Sequence, residues 1–128
     1  MKVVLAKTLG FCFGVKRALE MTERALEEGQ KICILGDLIH NRWVIERLAN
    51  KGIRRVQSVD EVEKGGTLII SAHGVTREIY SACEQRGIKV IDTTCIFVTK
   101  AQDAAHLLSK EGYDVFLVGD RDHTEVRG

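Results

Sequence analysis

The chain has 128 residues, 45% of them hydrophobic and 29% charged, the size and balance of one globular domain rather than a multi-domain enzyme. No apolar run approaches the roughly 18 residues of a membrane-spanning helix, and MKVVLAKTLG lacks the apolar core and cleavage site of a secretory signal, so the reading is a soluble, cytoplasmic protein. Nineteen basic against 18 acidic residues leave a charge of +1, too even for the counterion-releasing surface of a nucleic-acid binder.

In chain order, short apolar runs alternate with stretches of helical period. Residues 3–6, 32–35, 67–70, 89–91 and 115–118 read as buried strands, being short and rich in β-branched residues without polar alternation. A weaker sixth lies at 54–56. Between them, residues 15–28 place Val15, Ala18, Leu19, Thr22, Ala25 and Leu26 on one helical face. Residues 41–51, 76–85 and 97–109 are the further helices, with Gly52, Gly87 and Gly112 as stop signals. Units of about 30 residues fit right-handed βαβ crossovers, so the fold class is α/β, a mainly parallel sheet flanked by helices. After residue 118 comes only GDRDHTEVRG, which leaves the last expected strand without a covering helix, and the chain reads as truncated.

In open α/β sheets the ligand site lies beyond the carboxyl ends of the strands. His40, His73 and His123, and Cys12 and Cys95, all fall in segments expected to follow strands. His106, Cys33 and Cys83 lie within elements, and the two cysteines there read as core packing. Disulfides are disfavoured in a reducing compartment, so Cys12 and Cys95 point to thiolate chemistry or metal ligation. Three imidazoles with Ser71, Thr94, Asn41 and loop amides beside them suit an anion, a phosphorylated one best. Glu125, two residues after His123, reads either as the one acid in that rim free to move protons or as an exposed cap of a following helix. Two classes remain open on these residues alone. One is a metal or iron–sulfur enzyme acting on a phosphorylated small molecule; the other is a non-catalytic doubly wound anion-binding or thiol-switch domain.

The motifs GFCFGVKRA, LIHNRWVIERL, SAHGV, DTTCIFVTK and DHTEVRG, in this order and spacing, resemble the LytB/IspH family of 4-hydroxy-3-methylbut-2-enyl diphosphate reductases of the non-mevalonate isoprenoid pathway. The resemblance implies a three-lobed α/β protein whose three cysteines hold a 4Fe–4S cluster. Cys12 and Cys95 match the first two, and the third lies outside this chain. His40, His73 and His123 match the histidines lining the diphosphate and hydroxyl site, and Glu125 matches the acid of the proton relay. The implied reaction reductively removes the allylic hydroxyl of the substrate to give isopentenyl and dimethylallyl diphosphate. Its electrons come from a donor such as ferredoxin or flavodoxin. On this reading residues 1–13 are an N-terminal strand and first cysteine loop that pack with the last lobe. Residues 14–95 form the first lobe, and 96–128 begin the second.

Proline sets this chain apart: average usage of about 5% implies roughly six, and there is none. Family members commonly have proline where this chain has Ile96, Thr124 and Thr76. We read the pattern as deliberate or lineage-specific removal, which loosens loops that must hold a thiolate or imidazole still.

Overall fold

The computed structural model describes every residue except Gln30. Its first helix, α1 (Phe13–Glu27), buries Ala18, Leu19, Thr22 and Ala25, the stripe expected from the sequence, and starts two residues earlier than the apolar period suggests. Strand β1 (Ile32–Leu35) leads into α2 (Arg42–Asn50), where Asn41 Oδ1 accepts the Val44 N–H at 3.1 Å and caps the helix. Strand β2 (Arg54–Val56) follows, so the weak sixth run is a true strand, and after it comes a 3-10 turn at Val59–Glu61. Strand β3 (Thr67–Ile70), helix α3 (Arg77–Gln85) and strand β4 (Lys89–Asp92) complete the sheet. Helices α4 (Ile96–Lys110) and α5 (Thr124–Arg127) end the chain and contain no buried residue.

The four strands are parallel in the order β2-β1-β3-β4. The chain therefore leaves β1 outward to β2, returns across it to β3, and continues outward to β4. β1 and β3 are neighbours whose following connections run in opposite directions, which makes the gap between their carboxyl ends the switch point of the sheet.

Strand alternation divides the core between the two faces of the sheet. Ile32, Ile34 and Ile69 pack under α1 and α2 with Ala18, Leu19, Val44 and Leu48. Cys33, Leu68 and Ile70 pack on the other face with Val56, Val62 and Cys83. Cys33 and Cys83 are thus packing residues, and burial pushes the Cys83 thiol up from its ordinary value. Cys83→Ala removes one buried atom and should cost about 1 kcal/mol in urea denaturation. A loss above roughly 4 kcal/mol would mean that the sulfur does more than fill space.

The expected strands at 3–6 and 115–118 are not strands. Val3, Val4 and Leu5 are exposed, as are Phe116, Leu117 and Val118, and neither segment pairs with the sheet. Their composition suits a strand, but a strand forms only where a neighbour supplies the opposing N–H and C=O groups. Among the described residues none does. The segments holding Cys12 and His123 therefore do not follow strands, contrary to the pattern expected from the sequence.

Candidate functional site

Backbone hydrogen bonding continues past the ends of the strands and carries the site. The Ala72 N–H donates to Leu38 O at 3.1 Å, and the Cys95 N–H donates to Ala72 O at 2.9 Å. The segments following β1, β3 and β4 are thereby laid side by side. His40, two residues after Leu38, and His73, one after Ala72, meet above the switch point. Their rings stack with centroids 4.3 Å apart and an interplanar angle of 22°.

The third imidazole arrives from α5. His123 stands edge-on to both others, at 5.7 Å from His40 and 5.5 Å from His73 between ring centroids. Its Nδ1 accepts the Glu125 N–H at 3.3 Å, capping the short helix. His123 Nε2 lies 3.4 Å from His40 Nε2, a hydrogen-bond contact whose donor is set by the tautomers of the two rings. The three sequence-predicted histidines therefore form one cluster, although His123 reaches it from an irregular segment.

His73 is half-buried, and that burial pushes its proton affinity below the ordinary histidine value. The positive charges of His40 and, more weakly, His123 act in the same direction, while the carboxylates of Glu125 and Asp37 oppose them. Glu125 is thus electrically coupled to the imidazole cluster although its side chain is exposed. An anion entering the cluster acts against burial, since it favours the protonated form of a ring it touches.

The polar residues around the rim divide into two groups. Ser71 is buried and its Oγ accepts the His73 N–H at 3.3 Å, so it orients the histidine segment. The Asn41 side-chain oxygen is taken by the α2 cap. Asp92 Oδ1 accepts both the N–H of Thr94, at 2.8 Å, and its hydroxyl, and Asp92 Oδ2 accepts the Tyr80 hydroxyl at 2.8 Å. Burial, with that carboxylate, pushes the Tyr80 hydroxyl up to about 12. Thr94 and Asn41, expected as donors to an anion, are scaffold residues here. Gly74 has φ +78°, and a Cβ there would lie 3.1 Å from Thr94 Cγ2, so only glycine lets the two segments lie this close. A cavity of about 370 Å³ opens beside the rim, bounded by Ser71, Gly74, Thr124 and Arg127.

The two loop cysteines both stand at helix starts. Cys12, exposed, is the N-cap of α1, and Cys95, half-buried, is the N-cap of α4; neither side chain bonds to its own first turn. The unpaired N–H groups there favour negative charge nearby. Helix α1 meets the Cys95 segment at Gly14, where a Cβ would stand 2.7 Å from Cys95 Sγ. Among the described residues no three or more His, Cys, Asp or Glu side chains converge as a metal-ion site. The two thiols match the donor type of an iron–sulfur cluster but are fewer than a complete set. Ile96 and Thr124, two of the positions where proline is expected, are the first residues of α4 and α5, where the fixed φ of proline would pre-form the turn beside Cys95 and His123.

These features define a doubly wound α/β lobe with an imidazole rim at its switch point and thiols at two helix starts. Comparison with known proteins places it more closely. The family model described as LytB protein matches residues 3–128. The 4-hydroxy-3-methylbut-2-enyl diphosphate reductase of Geobacter sp. (strain M21) is 48% identical over all of this chain and 45% of its own length. That of Syntrophotalea carbinolica is 46% identical over all of this chain and 46% of its own. Among solved structures, a 4-hydroxy-3-methylbut-2-enyl diphosphate reductase described as the terminal enzyme of the non-mevalonate pathway superposes with a TM-score of 0.85 at 42% identity, covering 98% of this chain and 45% of that one. The Plasmodium falciparum reductase superposes at 0.88 and 34% identity, covering 91% and 37%. The chain belongs to the LytB family, and it spans under half the length of these relatives.

Proposed function

We propose that the chain is part of a 4-hydroxy-3-methylbut-2-enyl diphosphate reductase. The observation that carries this is the convergence of His40, His73 and His123 above the switch point, with Glu125 coupled to them. In this reading His40, His73 and His123 receive the diphosphate and hydroxyl of the allylic substrate. Burial, with the charge of the neighbouring rings, holds the His73 proton weakly, and the negative charge of the substrate favours its protonated form. Glu125 delivers a proton to the departing hydroxyl from the first turn of α5.

Cys12 and Cys95 would hold two irons of a 4Fe–4S cluster, with a further ligand from the rest of the longer protein. When bound, the cluster would relay the reaction's two electrons from the donor, one at a time, and offer a Lewis-acidic iron. Ferredoxin or flavodoxin is the class of donor that would refill it. No described helix is long and apolar enough to cross a membrane.

Anaerobic loading with iron and sulfide tests the ligand assignment. The 128-residue chain should take up less than a full cluster, with a broad absorption in the blue that disappears in Cys12→Ser or Cys95→Ser and survives Cys33→Val. A colourless, iron-free protein that still binds diphosphate would favour a non-catalytic anion-binding domain instead. For the rim itself, diphosphate titrated near pH 6.5, where imidazoles are part charged, should shift the NMR resonances of His40, His73 and His123. It should spare His106, which is exposed on α4. Because His73 holds its proton weakly, binding should tighten as pH falls and the rim charges. Equal movement of His106 would reduce the response to general charge screening.

A further inference from the structure

Helix α1 touches the segment carrying Cys95 at two points, one turn apart. The first is Gly14, which is buried although the residues before it are exposed. The atoms that a Cβ there would meet within 4 Å all belong to Cys95: Sγ at 2.7 Å, Cβ at 3.3 Å and Cα at 4.0 Å. Gly14 is helical and not among the positive-φ glycines, so backbone freedom does not explain it. Glycine inside a helix costs about 1 kcal/mol relative to alanine, and the close approach of the thiol is what the missing side chain permits. The second point is Arg17, whose Nη1 donates to Thr94 O at 3.1 Å, one residue before Cys95.

The far side of the same segment is tied to the sheet. The Cys95 N–H bonds to Ala72 O, and Thr94 is held by Asp92. With the segment anchored there, contact with α1 is the remaining freedom. Cys12 lies two residues before Gly14, within about 8 Å of chain.

We propose that Gly14 and Arg17 form a two-point clasp that sets the separation and direction of the Cys12 and Cys95 thiols, making both of them positioning residues for the pair. The purpose of the clasp rests on the reading that these thiols share a cluster. Any Cβ at position 14 must turn the Cys95 thiol or push α1 away, and loss of the Arg17 bond frees Thr94 from the helix. Both changes move one ligand relative to the other without removing either.

Bridging of the two thiols by dibromobimane, which fluoresces on linking two sulfurs, tests this on the 128-residue chain, with the bridged pair located by mass spectrometry. The unsubstituted chain should bridge Cys12 to Cys95. Gly14→Ala and Arg17→Met should each slow bridging roughly tenfold, the scale of a lost proximity effect, and Arg17→Lys should recover part of the rate. Circular dichroism and the protection of buried Cys83 should stay unchanged, which separates positioning from loss of fold. Should Gly14→Ala unfold the chain, the Arg17 pair of variants decides alone. Bridging at the unsubstituted rate in folded variants, or no Cys12–Cys95 bridge at all, would overturn the clasp. A bridging contrast in a chain that takes up no iron with sulfide would support the clasp and remove the cluster reading.

Discussion

Glu125→Gln in a complete reductase containing this segment is expected to lower turnover by about 10²-fold or more, the range of a lost general acid, with substrate affinity nearly unchanged. Glutamine keeps the size of the side chain and leaves the backbone in place, so the Glu125 N–H still caps onto His123 Nδ1. What disappears is the acidic carboxyl proton. A second consequence follows from charge. The Glu125 carboxylate is one of two that raise the proton affinity of His73 against burial and the neighbouring rings. Its removal lowers that affinity further, so the alkaline limb of the pH–rate profile, on which His73 loses its proton, should move to lower pH where His73 contributes to it. Turnover within about threefold of the unsubstituted enzyme would be too small a loss for a general acid and would take Glu125 out of the relay.

Leu68→Ala is expected to destabilise the chain by about 3 kcal/mol, within the 2–5 kcal/mol range of such core truncations. Leu68 lies in β3, between β1 and β4, and it is 0% exposed with Ile69 and Ile70 beside it at the same value. Helices cover both faces of the sheet there, so the cavity has little freedom to collapse. Val4→Ala is the contrast: an equally apolar residue, expected from the sequence to lie in a strand, but 77% exposed. It should change stability by no more than about 0.5 kcal/mol. Urea denaturation of the two variants decides the matter. Equal losses would mean that residues 3–6 are packed in solution, and a loss under about 1 kcal/mol for Leu68→Ala would contradict a tightly filled sheet centre.

Periodicity was enough to read the elements that bury something. The stripe on α1, the apolar runs of β1 and β3 and the glycine stops after α2 and α3 are all local patterns, and each reports which side of an element must leave water. The candidate rim was legible for a related reason. His40, His73 and Cys95 sit just past strands that the same patterns locate, and a parallel sheet gathers such positions at one edge. Five motifs in register then carried the family resemblance, which the comparisons bear out.

Pairing and approach lay outside that reach. Residues 3–6 and 115–118 have strand composition but no opposing backbone among the described residues, and composition says nothing about whether a partner is present. Strand order, which puts β1 beside β3 and so stacks His40 on His73, depends on contacts between segments some 35 residues apart in sequence. Gly14 and Arg17 show the limit most plainly. In the sequence neither stands out: Gly14 precedes the helix expected at 15–28, and Arg17 lies off its apolar face. Only folding sets them against Cys95 and Thr94, 81 and 77 residues away. Local sequence determines which face of each segment leaves water, because burial repeats with the period of the backbone. Tertiary structure decides which faces meet, because steric fit and hydrogen bonding between distant residues have no period to read.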